Sequence, residues 1–430
     1  MSIDKSLDAM FDLNYRGRPM ICVEMSGNHQ GNKKAAIEFA QVAKAAGADL
    51  LKLQVYRPDT ITMKSDREDF TLDNENDWAE YGTLYDLYEK AHTPWDWIAD
   101  IFEEAKRIKL PIWASPFDHT AVDFLEDLNC PYYKIASPEI TDLGLIEACA
   151  RTGKPVVIST GLAGKKDLDE AVAVVRKYGT PLMILKCVSA YPTPIENMNV
   201  ATIPWLRETY GCSVGLSDHS LGSAAVYAAT AMGAAMIEKH FRLPNDNFSV
   251  DSSFSMSLDD LREMKATLTE VHKAVGKVTL KVPKIAKPSL SGRRSLYVLA
   301  DVKAGDNFTF ENVGSIRPWY GIKPKHLPFI LGRKATRDIA AGERMSWDLV
   351  EGGKIIMKDD PVLKAFSSIC INPPEGDHIC IYQSGILDSG DLMQLLLEIE
   401  MNTGKRLNLT SLIEGDITLS RLREILNGAE

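Results

Sequence analysis

Two short stretches, "GLSDHSLG" (215–222) and "IEKHF" (237–241), each carry an apolar run onto a charged residue and then a histidine. His219 and His240 therefore stand at the ends of two successive apparent strands. Neutral imidazole is the commonest side-chain ligand of divalent cations. A lone histidine in such a place reads as a loop stabiliser, whereas a matched pair, with Glu24 at the end of "PMICVE", reads as a metal pair. Two nitrogen ligands and no thiolate suit Mn2+, or Mg2+ and Co2+, with water in the remaining positions, rather than closed structural zinc. A second set surrounds two lysines. Lys52 in "LLKLQVY" and Lys134 in "YYKIAS" end strand-like runs, and Ser137, Ser159 and Ser217 end others. Lysines among hydroxyls neutralise and hydrogen-bond a phosphate or carboxylate. The competing reading pairs each lysine with a carboxylate of the interior. Both lysines together with three serines favour the anion.

Residues of this kind need a scaffold that delivers many strand ends to one place. Eight apolar runs do so, at 19–26, 50–56, 111–117, 132–137, 155–160, 182–188, 212–219 and 236–241. The segments between them, such as "KKAAIEFAQVAKAAGAD" and "DLDEAVAVVRKYG", space their apolar residues helically and close on glycine. Eight strands alternating with helices predict an α/β chain folded as a (β/α)8 TIM barrel over residues 1–282. A doubly wound open sheet is the rival, but no GxGxxG turn follows the first run. In a barrel, functional side chains gather at the carboxyl ends of the strands. Glu24, Ser26, Lys52, Gln54, Lys134, Ser137, Ser159, Ser189, Tyr191, Ser217, His219, Glu238 and His240 all fall there. The segment 57–97 after the second run is too long for a plain connector, which predicts a lid or a helical excursion.

Composition bounds the rest. The chain has 430 residues, 45% of them apolar and 25% charged, as in ordinary soluble proteins. A net charge of −10 argues against nucleic acid and anionic membrane as partners. The longest apolar runs fall short of the roughly 18 residues of a membrane span. Seven scattered cysteines without a CxxC speak against a disulfide framework, so a cytoplasmic chain is expected.

The motifs "EMSGNHQG", "SPFDHTAVDFLE", "YKIAS", "STG", "SAYPTP", "GLSDHSLG", "EKHF" and "VDSSFSM", in this order, resemble the sialic acid synthase family. "TLYDLYEKAHTPWDW" and "LLKCVSAYPTPIENMN" are most similar to its pseudaminic acid synthase branch. The resemblance implies an enzyme that joins phosphoenolpyruvate (PEP) to an N-acetylated amino sugar and releases phosphate, with a divalent metal as cofactor. For the branch the sugar is 2,4-diacetamido-2,4,6-trideoxy-L-altrose; legionaminic or N-acetylneuraminic acid synthesis is the alternative with the same chemistry. It makes His219 and His240 the metal ligands and Glu24 the acid–base residue. Lys52, Lys134, Ser137, Ser159, Ser189 and Ser217 would contact PEP, and Gln54, Tyr191 and Asp251 the sugar. Ser189 stands where sialic acid synthases often carry asparagine.

"KVPKIAKPSLSGRRS" (281–295) reads as a linker. Beyond it, "ADVKAGDNFTFENV" (300–313) and "RDIAAGERMSWDLV" (337–350) match as an internal repeat. Each unit predicts a strand, a glycine turn, and a strand leading to a capped helical turn. Residues 283–352 resemble the antifreeze-like (SAF) domain of the same family. The resemblance implies a domain-swapped homodimer in which Arg317 of "SIRPWYG" reaches the partner's sugar site. Residues 353–430 resemble the latter half of an acyl carrier protein, a small helical module. That makes Ser389, after Asp388, the attachment site of 4'-phosphopantetheine; the other reading leaves Ser389 as a helix cap.

Overall fold

The computed structural model describes residues 5–73, 78–353, 361–369, 371, 373–374, 380–382, 384–405, 407 and 416–427. They fall into two compact units, Met1–Val278 and Thr279–Glu430. In the first, eight parallel strands close into a barrel in sequence order. The strands are β1 (Met20–Glu24), β2 (Leu50–Val55), β3 (Ile112–Pro116), β4 (Tyr133–Ile135), β5 (Val156–Ser159), β6 (Leu182–Lys186), β7 (Ser213–Asp218) and β8 (Met236–His240). Each lies within its predicted run and is shorter at the ends. Parallel strands covered on both faces read as continuous apolar runs, which is why all eight were visible.

Helices form the outer layer, and α1 (Lys33–Ala46) shows why they form there. The Asn32 side chain accepts from the Lys34 amide at 2.8 Å, and Gly47 ends the helix at φ 106°, a left-handed turn that favours glycine. Ala35, Ala36, Phe39, Ala40, Ala43 and Ala46 recur at helical spacing and are buried. Five alanines let the helix lie close to the strands, and Phe39 fills the gap edge-on to Phe241, with ring centres 5.3 Å apart. Segment 57–97 is a helical excursion, with single turns at Pro58–Ile61, Glu68–Phe70 and Ala79–Tyr81 and then α2 (Leu84–Ala91).

The second unit holds two separate apolar clusters. In the first, β9 (Ser295–Val298) and β10 (Val313–Ile316) pair antiparallel, and the internal repeat takes on a pseudo-twofold form. Val302 and Ile339 exchange amide–carbonyl bonds at 2.9 and 2.8 Å. Asp338 accepts from the Ala304 amide at 2.9 Å, and Asp301 from the Ala341 amide at 2.8 Å. Gly305 and Gly342 turn at φ 88° and 89°. The repeat makes single bridges, Val302 with Ile339, Asn307 with Lys334 and Ala335 with Val350, instead of the expected strands. Turns follow every two or three extended residues, so a longer ladder has no room. The linker 281–295 contains two short 3-10 turns, Lys284–Ala286 and Pro288–Gly292.

The second cluster joins α3 (Pro361–Ser368), α4 (Ser389–Thr403) and α5 (Leu419–Asn427) around Phe366, Leu395, Ile399 and Leu422. Asp388 is the cap of α4, accepting from the Asp391 amide at 2.7 Å. This corrects the capping alternative for Ser389, which is the first helical residue; its side chain lies outside the described residues. A Phe39→Ala substitution removes a ring from the packed barrel wall. We expect it to lower stability by about 3–5 kcal/mol, read from the denaturant midpoint.

Candidate active site at the carboxyl end of the barrel

Strand register sets the geometry. Glu24 is level with Lys52 across β1 and β2, and with His240 across β1 and β8. Ser217 is level with Glu238 across β7 and β8. Alternate side chains point the same way along a strand, so these groups and Lys134 meet inside the barrel. Lys52 Nζ is ion-paired with Glu24 and stands 3.7 Å from Glu238 Oε1. Lys134 Nζ pairs with the same Glu238 oxygen, which also accepts from Ser217 Oγ at 3.2 Å. The result is a buried ladder, Glu24–Lys52–Glu238–Lys134. Both lysines thus have the interior carboxylate partners of the competing reading, and of the predicted serines Ser217 joins the ladder through Glu238. Ser137 Oγ accepts from the Gly161 amide at 2.9 Å, and Ser159 Oγ is buried without a hydrogen bond.

The two carboxylates of the ladder differ. Burial pushes Glu24 above the usual carboxylate range, and Lys52 only partly opposes it. Burial also acts on Glu238, but Lys134 and Lys52 outweigh it and hold this carboxyl low. Carboxylates driven apart in this way divide into a proton carrier and a fixed anion.

The histidine pair lies beside the ladder. The rings of His219 and His240 have centres 5.4 Å apart. His219 Nδ1 lies 2.8 Å from the Val188 carbonyl, which fixes Nδ1 as the donor and leaves Nε2 as the free lone pair. Burial, then His219 and both lysines, hold His240 well below the ordinary imidazole pKa, so it stays neutral. Its Nδ1 has no hydrogen bond and stands 3.7 Å from Asp251 Oδ2. His240 with its unpartnered Nδ1, His219 with the Nε2 that its backbone bond leaves over, and the nearby Asp251 carboxyl are a fitting donor set for a divalent cation. Among the described residues no group of three or more His, Cys, Asp or Glu gathers at ligand spacing. The pair therefore suits a cation that draws its other ligands from water and substrate.

The segment after β2 lies against this end. Tyr191 packs on His219 with ring centres 4.3 Å apart, and Trp78 packs on Tyr191 at 5.2 Å. Tyr56 meets Tyr88 of α2 at 5.6 Å. Gln54 is half-buried on β2, and Ser189 belongs to the loop after β6. Arg317 and Ser389 belong to the second unit, where Arg317 is exposed just after β10.

Three further residues went unassigned in the sequence. Ser115 on β3 accepts from Lys52 Nζ at 3.4 Å. Glu238 was visible as a polar strand end, and its place two residues before His240 on the same strand face is the signal that puts it in the interior. Glu139 follows β4 in a partly buried 3-10 turn, and burial of its side chain raises its carboxyl to about 7. Its Oε2 is buried without a hydrogen bond.

The chain is similar to known proteins over most of its length. The chain belongs to the NeuB family, which it matches over residues 39–279, with an SAF domain matched over 293–351. It is 40% identical over 340 residues to the pseudaminic acid synthase of Helicobacter pylori, covering 77% of this chain and 98% of the relative. The N,N'-diacetyllegionaminic acid synthase of Campylobacter jejuni is 29% identical, covering 76% of this chain and 98% of that protein. Among solved structures, the N-acetylneuraminic acid synthetase of Leptospira borgpetersenii superposes with TM-score 0.57 at 26% identity, covering 64% of this chain and 91% of that one. The Bacillus subtilis spore coat polysaccharide biosynthesis protein SpsE superposes with TM-score 0.52 at 26% identity, covering 78% and 95%. Residues 352–430 lie beyond both family matches.

Glu139 has a readable pH signature in the ligand-free protein. Its folded pKa, about 7, exceeds the ordinary 4.5, so its contribution is fully present below 4.5 and is lost as pH rises through 7. Glu139→Gln should remove up to about 3 kcal/mol of this pH dependence, flattening the fall in melting temperature between pH 5 and 8. Equal slopes in both proteins would contradict a raised pKa.

Proposed function

We propose that the chain condenses PEP with 2,4-diacetamido-2,4,6-trideoxy-L-altrose to give pseudaminic acid and phosphate. One observation carries this reading: the lysine–carboxylate ladder and the histidine pair share one barrel end in a chain whose relatives at 38–40% identity are pseudaminic acid synthases. PEP carries a phosphate and a carboxylate, and Lys52 and Lys134 with Ser115, Ser137, Ser159, Ser189 and Ser217 suit such an anion. His219 and His240 hold a divalent cation, Mn2+ in the first instance. Bound there, it supplies Lewis-acid polarisation of the sugar aldehyde oxygen. Gln54, Tyr191 and Asp251 orient the sugar, and the aromatic cover from Trp78 and Tyr88 limits water.

Carbon–carbon bond formation leaves positive charge at carbon 2 of PEP, where water adds. Glu24, the carboxyl that burial keeps protonatable, takes the proton of that water. Glu238 stays ionised and keeps both lysines charged and in place while phosphate leaves.

The chain is read as three modules, 1–282, 283–352 and 353–430, acting in the cytoplasm as a homodimer. Arg317 of the partner subunit contacts the sugar, by the family resemblance of the SAF domain. Residues 353–430 serve as a carrier or docking module with 4'-phosphopantetheine on Ser389. Its resemblance to a carrier protein and its place at the start of α4, where a phosphodiester meets free amides, support this.

Phosphate release with PEP, Mn2+ and a panel of sugars tests the reading. The altrose-derived sugar should be preferred over its mannose-configured counterpart and N-acetylmannosamine, with loss on chelation or in His219→Ala. Preference for another sugar would move the product, and no release with any of them would reject the chemistry. Gly161→Ala is a sharper probe of the PEP end. Its new Cβ would stand 2.2 Å from Ser189 Oγ and 2.6 Å from Ser137 Oγ, displacing both. We expect kcat/KM for PEP to fall by about 100-fold or more. Intact mass after treatment with a phosphopantetheinyl transferase and coenzyme A should rise by one arm, and an unchanged mass would remove Ser389 from the reading.

A further inference from the structure

Asp218 and Lys239 each stand immediately before one histidine of the pair, and they face away from it. Successive strand residues point to opposite faces, so with Ser217 and Glu238 inside the barrel, Asp218 and Lys239 point to its outer side. There they are 1% and 3% exposed, and they form an ion pair at 2.7 Å. Asp218 Oδ1 accepts from the Ser220 amide at 2.9 Å and from Ser220 Oγ at 2.7 Å. Lys239 Nζ also donates to the Ser220 carbonyl. This knot links β8 to the two ends of the short turn that carries His219.

Its place in the register gives it a job. The pairing of β7 with β8 runs Leu216–Ile237, Ser217–Glu238, Asp218–Lys239 and goes no further. His219 and His240 are the next residues, beyond the last β7–β8 pair. Each backbone is held by another neighbour, His240 level with Glu24 of β1 and the His219 carbonyl accepting from the Thr193 amide at 2.9 Å. The direct link between the two strand ends is the side-chain knot at the final rung, while the Val188 carbonyl sets the rotation of the His219 ring from the β6 side.

We propose that the Asp218–Lys239 pair with Ser220 is the positioning device of the histidine pair, setting the spacing at which His219 and His240 bind a divalent cation. The inference rests on the cation reading above. Groups that orient metal ligands from behind contribute about 10–100-fold to metal affinity. Neither side chain touches substrate, so both are positioning residues.

The test uses the full chain and two readouts. Free Mn2+ measured by electron paramagnetic resonance gives the Mn2+ dissociation constant, and calorimetry with chelator present gives that of PEP. Lys239→Met should weaken Mn2+ by about 10–100-fold and PEP by less than about threefold, because Lys52 and Lys134 remain in place. Lys239→Arg keeps the charge and should hold Mn2+ within about threefold of the parent. A folded Lys239→Met protein with unchanged Mn2+ affinity would overturn the proposal. So would equal weakening of Mn2+ and PEP, which marks general loosening of the barrel. Should Lys239→Met fail to fold, Ser220→Ala, which removes one hydroxyl from the knot, decides. It should weaken Mn2+ by about threefold or more without moving PEP, and no change would overturn the proposal. A parent protein that binds PEP but no Mn2+ would fail the cation reading itself, a different result from any of these.

Discussion

The return of β8 to β1 is the constraint on which the rest depends. Until that seam closes, Glu24 and His240 stand at opposite ends of a 217-residue stretch of chain with no reason to meet. Once Met20–Glu24 lies level with Met236–His240, the first strand's carboxylate sits between a lysine on one side and an imidazole on the other. The Glu24–Lys52 pair and the nearness of Glu24 to His240 follow from this one seam. A slip by a single residue would turn Glu24 out of the interior and leave Lys52 without its partner.

Closure also explains how so much charge is tolerated indoors. Buried ions are costly alone, and here each lysine is met by a carboxylate and each carboxylate by hydroxyls or a backbone amide. The outer faces of β7 and β8 repeat the solution on a smaller scale with Asp218 and Lys239. The two networks sit back to back through the same strands. One is arranged for chemistry and the other for holding position.

Much of this was legible in the sequence, for physical reasons. Strands of a covered parallel barrel must be apolar throughout, so each polar residue at a run's end stands out, as Lys52, Lys134, His219 and His240 did. The alternation of side chains was the signal that went unused. It assigns Glu238 to the interior with His240, and Asp218 and Lys239 to the outside, from the order of residues alone. Glu139 and Ser115 carry no such mark, since a turn and a single serine look ordinary until burial is known. The repeat at 300–350 was visible from its paired Asp and Gly positions, yet its arms are too short for the strands that the pattern implied. Ser389 shows the reverse case: Asp388 beside it makes the helix cap, a choice between neighbours that only backbone geometry resolves.

The ladder has a consequence for how an anion enters. Its lysines are already neutralised by Glu24 and Glu238, so an incoming phosphate or carboxylate competes with a charge instead of filling a positive hole. Binding is then an exchange of partners, with Lys52 and Lys134 turning from Glu24 and Glu238 toward the ligand. The carboxylates they leave stay buried, so the ladder loses part of what the ligand gains. Charge therefore acts as a filter more than as a source of affinity, because an uncharged ligand of the same shape offers the lysines nothing in exchange.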